Sequence, residues 1–140
     1  MTTVSTAMQK PHLDIYVSAE ASDDEKATVV EAFDGFNVSL QKGEYRFSET
    51  PLTLAVSVFL NVVSNAVYDL LKAGVKKLRS QPKSKIPRKV ECRIRRFQTE
   101  YIISDNVFVA RTNTEEKFFS SVDDLFDDLV STNDKDQTTL

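Results

Sequence analysis

The fold depends on one long proline-free stretch, LTLAVSVFLNVVSNAVYDLLKAGVKKL at residues 52–78. Thr50 and Pro51 precede it, and this pair is typical of a helix start, because threonine caps free backbone amides and proline suits the first helical position. The next proline is Pro82. We therefore predict one long central helix from about residue 51 to residue 78, with Gly74 as its weakest point. Its hydrophobic face is expected to organise the core.

The same stretch is a candidate membrane segment, since it carries no charged residue from Leu52 to Tyr68. A spanning helix needs about 20 mostly apolar residues. Here polar residues recur at helical spacing, at Ser57, Asn61, Ser64, Asn65 and Tyr68. An amphipathic core helix explains that spacing better than a membrane helix does, so a membrane is not an expected partner.

Part of this polar stripe is a candidate interface. Asn61 and Asn65 lie one helical turn apart, and Tyr68 follows at the next turn. Buried amides disfavour wrong registers between packed helices, which makes these three residues candidates for a helix–helix contact. Simple solvent exposure is the alternative interpretation.

The first part of the chain predicts a strand, a helix and a further strand. Apolar residues alternate at 13–17, which is the pattern of a half-buried strand. A capping box at 22–25 then predicts a helix to about residue 34, ended by Gly35 in the left-handed conformation. Alternation at 36–40 and again at 45–47 predicts either a hairpin or one bulged strand.

The last part of the chain predicts a meander and a terminal helix. The loop SQPKSKIPRK at 80–89 contains two prolines and four basic residues, which excludes regular structure there. Alternating segments over 90–109 predict three antiparallel strands. Apolar residues share one face over 122–130, after the capping residue Ser121, and predict a short amphipathic helix.

The resulting element order, β-α-β(β)-α-β-β-β-α, predicts an α+β fold. We expect a mixed, mainly antiparallel sheet with one long central helix and two shorter helices. A chain of 140 residues that is 41% hydrophobic can build one continuous core. We predict a flexible N-terminus at 1–11, a single domain at 12–131 and a disordered C-terminal tail at 132–140.

The cysteine content bears on location. Cys92 is the one cysteine of the chain, so it has no partner for an internal disulfide. Its place among alternating strand residues predicts a small buried hydrophobe, and a reactive thiol of lowered pKa is the alternative. A free cysteine and an N-terminus without the apolar stretch of a signal peptide point to a reducing, cytoplasmic location.

The residue types of common catalytic and metal sites are scarce. His12 is the one histidine of the chain, so a Ser-His-Asp triad could use no other base. One histidine and the one cysteine, Cys92, are too few for a common zinc cluster. Three scattered glycines do not make a phosphate-binding loop. Four aspartates lie at helical spacing and could bind a cation, but a solvated helix face explains them better: Asp123, Asp124, Asp127 and Asp128. We predict no catalytic residue, no metal and no cofactor.

Charge is distributed unevenly along the chain. Residues 72–96 contain eleven Lys and Arg against one Glu, whereas the whole chain has a net charge of −3. Such a segment attracts phosphates or an acidic protein. We predict a basic binding surface at Lys76, Lys77, Arg79, Lys83, Lys85, Arg88, Lys89, Arg93, Arg95 and Arg96. The alternative is a solvated face, or pairing with the acidic helices within the fold or in a homo-oligomer.

One segment resembles a known group of proteins. The sequence SNAVYDLLK at residues 64–72 resembles the S-N-x-x-Y-D-x-L-K helix of many small uncharacterised bacterial proteins. Some of those are similar to effector-associated components of bacterial conflict or phage-defence systems. The resemblance implies an adaptor or recognition module rather than an enzyme. The basic loop and the aspartate-rich terminal helix have no counterpart in it.

These patterns together predict a noncatalytic protein-interaction or adaptor domain in a bacterial defence or stress pathway. It is expected to present the basic surface at 72–96 to an acidic protein partner. Nucleic-acid binding by the same residues is the alternative, although Phe97 and Tyr101 are the only aromatic residues close to the basic run. An enzyme with an unrecognised acidic site is a third hypothesis. Self-association into a homo-oligomer is a further expectation.

Overall fold

The computed structural model describes residues 10–41, 53–59 and 64–138. Within these residues, seven strands form one mixed sheet and three helices accompany it, which confirms the α+β class. The strands are β1 (His12–Val17), β2 (Asn37–Gln41), β3 (Thr53–Phe59), β4 (Lys89–Arg96), β5 (Thr99–Ile103), β6 (Phe108–Arg111) and β7 (Glu116–Phe119). The helices are α1 (Asp23–Ala32), α2 (Asn65–Arg79) and α3 (Val122–Thr138).

The sheet combines two parallel crossovers with an antiparallel meander, in the order β2-β1-β3-β4-β5-β6-β7. Helix α1 connects the parallel neighbours β1 and β2, and α2 connects the parallel neighbours β3 and β4. From β4 to β7 each strand pairs antiparallel with the next. The end of α2 therefore lies beside the start of β4, and the β4–β5 turn lies at the opposite end of the sheet.

The core lies between one face of the sheet and the three helices. Alternate residues of β4, such as Cys92 and Ile94, are at most 1% exposed. They belong to one buried cluster with Leu71 and Val75 of α2 and Leu125 of α3. Because successive strand residues point to opposite sides, the residues between them lie on the other face of the sheet. We call that other face the open face.

The predicted single long helix is wrong in its first part. Residues 53–59 form β3, and the helix begins at Asn65, after the N-cap Ser64. Strand β3 lies between β1 and β4, and its residues 54–58 are all buried. A strand buried on both faces has a continuous apolar run instead of an alternating one, and such a run also suits a helix. No helix in the described part of the chain is long and apolar enough to cross a membrane.

The first helix confirms one prediction and corrects another. Ser22 and Glu25 form the predicted reciprocal capping box at the start of α1. The predicted left-handed Gly35 is wrong, because neither of the glycines that the structure describes has a positive φ. Gly35 instead allows a close approach, since a Cβ there would lie 2.9 Å from Cδ2 of Leu70.

Two differences concern the second half of the chain. Strand β7 adds a fourth strand to the predicted three-stranded meander. Helix α3 continues to Thr138, so the predicted disordered tail is helical over 132–138. The predicted second half of the hairpin at 45–47 and most of the predicted N-terminal segment lie outside the described residues.

Candidate functional site

The basic residues at 72–96 do not form one surface. In β4, Arg93 and Arg95 alternate with Cys92 and Ile94, whose side chains are buried under the helices. The two arginines therefore lie on the open face. The remaining cationic side chains, apart from Arg96, lie on α2, in the following loop and at the start of β4. The predicted surface thus divides into two groups, one at the C-terminal end of α2 and one on the open face.

The first group surrounds a groove of ≈ 240 Å³ at the C-terminal end of α2. Its charged lining residues are Arg79, Lys83, Arg88, Lys89 and Asp105. Its apolar lining residues are Leu78, Ile86 and Val90. We call this site the basic groove. It presents four cationic side chains and one carboxylate around an aliphatic lining, which is an arrangement suited to an anionic ligand.

Arg88 anchors the wall of the basic groove to helix α1. Its Nη2 and Nε atoms donate to the two carboxylate oxygens of Glu25 at 2.7 and 3.1 Å. The side chains are only 14% and 6% exposed. The hydrogen bond from Arg88 lowers the pKa of Glu25, although burial opposes that shift. Arg88 was predicted as part of an exposed surface, but the structure places it in a largely buried ion pair.

Lys89 of the basic groove, and Lys85 of the same loop but outside the lining, are held weakly. Lys85 lies 3.9 Å from Glu31, and Lys89 lies 3.9 Å from Asp105, and every side chain in these pairs is more than half exposed. Exposed pairs of this kind contribute about 0–1 kcal/mol. Lys83 has no acidic side chain within 4.0 Å among the described residues.

Arg79 has a structural role at the rim of the basic groove. Its Nη2 donates to the carbonyl oxygen of Asp105 at 3.1 Å, and its guanidinium lies 5.1 Å from the centre of the Phe108 ring. These contacts connect the last turn of α2 to the β5–β6 loop. Arg79 is therefore positioned in the groove by uncharged groups, and among the described residues no carboxylate lies within salt-bridge distance of it.

The remaining cations of α2 pair with acidic residues from other elements. Lys76 lies 2.8 Å from Asp123 of α3, and Lys72 lies 3.6 Å from the same oxygen. The hydrogen bond from Lys76 lowers the pKa of Asp123. Lys77 lies 3.6 Å from Asp34 after α1. The alternative that the basic segment offsets acidic elements within the fold therefore describes this part of α2.

The second group forms a row of alternating charges on the open face. Arg95 pairs in register with Glu100, which pairs with Arg111, which pairs with Glu116, on four adjacent strands. Arg95 lies 3.6 Å from Glu100, and Arg111 lies 2.7 Å from Glu116. Arg93 also contacts acidic residues, at 2.6 Å from Glu91. These carboxylates reduce the positive field that the sequence predicts for β4.

Arg96 does not belong to either group. Its side chain is only 2% exposed, and its guanidinium lies 4.5 Å from the centre of the Phe97 ring. The prediction of Arg96 as a surface residue is therefore wrong. The physical reason is strand alternation, since Arg96 shares the helix side of β4 with Cys92 and Ile94.

The residues predicted for a helix–helix interface do not form one exposed surface. Tyr68 is 1% exposed and belongs to the core, whereas Asn65 is the exposed first residue of α2. Both line a groove of ≈ 410 Å³ between α2 and α3, which also contains Asp69, Lys72 and Asp127. Asn61 lies outside the described residues.

The candidate nucleophile, Cys92, and the candidate base, His12, lie on different strands. Cys92 is buried, and burial raises the pKa of its thiol to about 12, so the reactive alternative is contradicted. His12 is exposed at the start of β1, where Nε2 lies 2.8 Å from Oδ1 of Asp14. The predicted acidic face of α3 is partly engaged as well: Asp128 accepts from Lys117 at 2.9 Å. In the described parts of the chain, no three His, Cys, Asp or Glu side chains are arranged to hold a metal ion.

The sequence prediction missed two features of this geometry. The first is the charge row on the open face, which depends on the strand register. The second is the β4–β5 turn at Phe97 and Gln98, whose residues are not typical of turns. No protein-family model, no curated protein and no solved structure matches this chain. The site is therefore interpreted from its own contacts, which favour anion binding at the basic groove.

Proposed function

We propose that this chain is a noncatalytic interaction domain that binds an acidic segment of a protein partner in the basic groove. The observation that carries the proposal is the lining of that groove, where Arg79, Lys83 and Lys89 meet one carboxylate. The fourth cation, Arg88, is already paired with Glu25. The aliphatic Leu78, Ile86 and Val90 add an apolar component, which suits a peptide that has both acidic and apolar side chains.

Exchange of ion pairs explains how an acidic partner would bind. The pairs that hold Lys85 and Lys89 are long and exposed, so little free energy is lost when these lysines turn to another carboxylate. The groove itself stays in place, because the buried pair of Arg88 and Glu25 fixes the loop against α1. A preformed site loses less conformational entropy on binding than a mobile loop does.

The composition of the groove favours a protein partner over nucleic acid at this position. Its lining contains aliphatic side chains and no aromatic side chain from the described residues. Non-specific nucleic-acid binding normally combines cations with aromatic rings on which bases stack. Outside the lining, Glu31 pairs with Lys85 and Asp34 pairs with Lys77. These carboxylates would repel a continuous phosphate backbone, which extends beyond the groove, more than a short acidic peptide.

The biological setting is part of the same proposal. The resemblance of the segment SNAVYDLLK at residues 64–72 supports an adaptor in a bacterial defence or stress pathway. The single cysteine, buried and without a disulfide partner, supports a cytoplasmic location. Self-association would use the same chemistry if the acidic segment came from a second copy of the chain.

The test is the binding of a fluorescein-labelled Glu-rich peptide, measured by fluorescence anisotropy at low salt and at about 0.15 M ionic strength. We expect saturable binding that weakens as salt rises. The variant Lys83→Ala/Lys85→Ala/Lys89→Ala should bind roughly tenfold more weakly, because each exposed charge contact contributes about 0.2–1 kcal/mol.

The matched control removes the same charge elsewhere, in the variant Arg95→Ala/Arg111→Ala/Lys117→Ala. These three residues lie on the meander, away from the end of α2. We expect this control to retain most of the affinity. An equal loss in both variants would show attraction by net charge alone, and the absence of binding at low salt would contradict the proposal.

A further inference from the structure

The turn between β4 and β5 holds a phenylalanine in an unfavourable backbone conformation. Phe97 has φ of 55°, and no other non-glycine residue in the described part of the chain has a positive φ. Bulky residues avoid this region because the Cβ approaches the backbone carbonyl oxygen. Such residues persist where the surrounding structure imposes them, and they cluster at binding and active sites.

The ring of Phe97 does not contribute to the core. The residue is 71% exposed, although its backbone is one at which glycine would fit better. One contact is made with the buried Arg96, whose guanidinium lies 4.5 Å from the ring centre. The two-residue turn between β4 and β5 imposes the positive φ, as such hairpin turns do, and it leaves the exposed ring available to a ligand.

The residues around Phe97 form a second groove, which we call the tip groove. Its volume is ≈ 360 Å³, and its lining includes Arg95, Phe97, Gln98, Glu100, Arg111 and Asn113. It lies where the β4–β5 and β6–β7 turns meet at one end of the meander. This volume is within the usual range of small-ligand clefts, roughly 300–1,000 Å³.

The lining of the tip groove contains two arginines, Arg95 and Arg111, and one glutamate, Glu100. Glu100 lies 3.6 Å from Arg95, and its side chain is only 17% exposed. Arg111 contacts Glu116 through Nε at 2.7 Å, and its side chain is 51% exposed. A guanidinium has five N–H donors, so one contact through Nε leaves donors of Arg111 for a phosphate.

We propose that the tip groove binds one nucleotide of a single-stranded nucleic acid, with the base stacked on Phe97 and the phosphate held by Arg95 and Arg111. The groove supplies the three kinds of group that a nucleotide requires. An exposed ring stacks on any base, guanidinium groups bind phosphate, and the side-chain amides of Gln98 and Asn113 can bond to base edges. This site is separate from the basic groove, and neither site requires the other.

A single strand suits this site better than a membrane surface or a duplex does. Membrane insertion needs several apolar side chains, and Phe97 is the one large apolar side chain in the lining. Stacking on the ring requires a base whose face is accessible, which a paired and stacked duplex does not offer.

The test measures affinity and stability in the same variants. Fluorescein-labelled oligo(U) RNA and oligo(dT) DNA are titrated with the full chain and followed by anisotropy. Phe97→Gly and Phe97→Asn both remove the ring and both suit a positive φ. We expect each to bind about tenfold more weakly, as loss of one base–aromatic stack predicts, while the midpoint of thermal unfolding does not fall. Phe97→Tyr should retain binding.

Matched controls separate the site from general attraction. Phe118→Ala removes another phenylalanine that is strongly exposed, at 66%, and should leave the affinity unchanged. Arg95→Ala and Arg111→Ala should each lower the salt dependence of binding by roughly one phosphate contact. Binding to either oligonucleotide with this pattern supports the proposal.

Three outcomes overturn the proposal. The first is no binding to RNA or DNA at low salt. The second is binding that survives both ring-removing variants. The third is an equal loss of binding in Lys83→Ala/Lys85→Ala/Lys89→Ala, which would place the nucleic acid at the basic groove.

Discussion

Among single residues, Arg88 and Glu25 are the pair on which the candidate site depends most. Arg88 is the last residue of the α2–β4 loop. Glu25 closes the capping box of α1, where its Oε1 accepts from the Ser22 amide at 3.0 Å. One carboxylate thus joins the start of a helix to the loop that lines the basic groove. A buried charge that loses its partner is strongly destabilising, even where the pair itself adds little net stability.

We predict that Arg88→Ala lowers the free energy of unfolding by about 3 kcal/mol, because it leaves Glu25 largely buried without its cation. Urea unfolding followed by circular dichroism measures this change. Lys83→Ala, at an exposed position of the same groove, is the control and should change stability by less than about 0.5 kcal/mol. Equal small effects in both variants would contradict the anchoring role of Arg88.

The same pair predicts a pH dependence of stability. The hydrogen bond from Arg88 lowers the pKa of Glu25 in the folded state. The stabilising contribution of the Arg88–Glu25 pair is therefore complete above the pKa of Glu25 in the unfolded chain, about 4.3. It is lost as pH falls through the lower pKa of Glu25 in the folded protein. The difference in unfolding free energy between wild type and Glu25→Gln should shrink as pH falls below about 4. A difference that stays constant over this range would contradict the assignment.

The burial of Cys92 predicts that the native protein reacts slowly with thiol reagents. Burial raises the pKa of the thiol to about 12, and the side chain is 1% exposed. At about pH 8 the native protein should react with a thiol reagent such as Ellman's reagent only as fast as it unfolds, since the thiolate is the reactive species. Reaction should become rapid in denaturant. Fast reaction of the native protein would contradict the burial of Cys92.

Among the elements, β3 shows why part of the fold could not be predicted. Its residues TLAVSVF at 53–59 are buried almost throughout, so they lack the alternation that identified β1 and β4. A fully buried strand and a buried helix segment give the same apolar run, and only the neighbours in the sheet decide between them. The capping signals at Ser22 and Ser121 do mark helix starts, because each serine hydroxyl accepts from the backbone amide three residues later.

Helix α2 also contains a glycine whose role the sequence did not reveal. From the sequence, Gly74 is expected to weaken the helix, but it is buried in the middle of α2 against Phe33. A Cβ at this position would overlap the ring of Phe33, which is 1% exposed. Glycine therefore allows α1 and α2 to approach closely, at some cost in helix propensity.

We predict that Gly74→Ala destabilises the protein by about 1–2 kcal/mol, because the overlap with Phe33 outweighs the higher helix propensity of alanine. Phe33→Leu also destabilises alone, since it removes buried ring atoms. In the double variant the two losses should be clearly less than additive. Urea unfolding of the four proteins measures this cycle. Stabilisation by Gly74→Ala would contradict the proposed close packing.

For the whole molecule, the sequence predicted the charge imbalance but not its arrangement. The strand alternation of β4 moves Arg93 and Arg95 to the open face and buries Arg96, and register with β5 places Glu100 beside Arg95. Asp123 of α3 meets Lys72 and Lys76 of α2, and Glu31 of α1 meets Lys85 of the α2–β4 loop. What remains of the predicted surface is the basic groove. Its position depends on contacts between elements far apart in sequence, which no local pattern encodes.

The most direct test of the central claim is a titration of the ¹⁵N-labelled chain with a Glu-rich peptide, followed by amide chemical shifts at about 0.15 M ionic strength. If the basic groove is the binding site, the largest shifts will lie in residues 79–89 and around Asp105, and they will disappear in Lys83→Ala/Lys85→Ala/Lys89→Ala. Shifts concentrated at the tip groove or the open face, or spread evenly over all cationic residues, would contradict the claim.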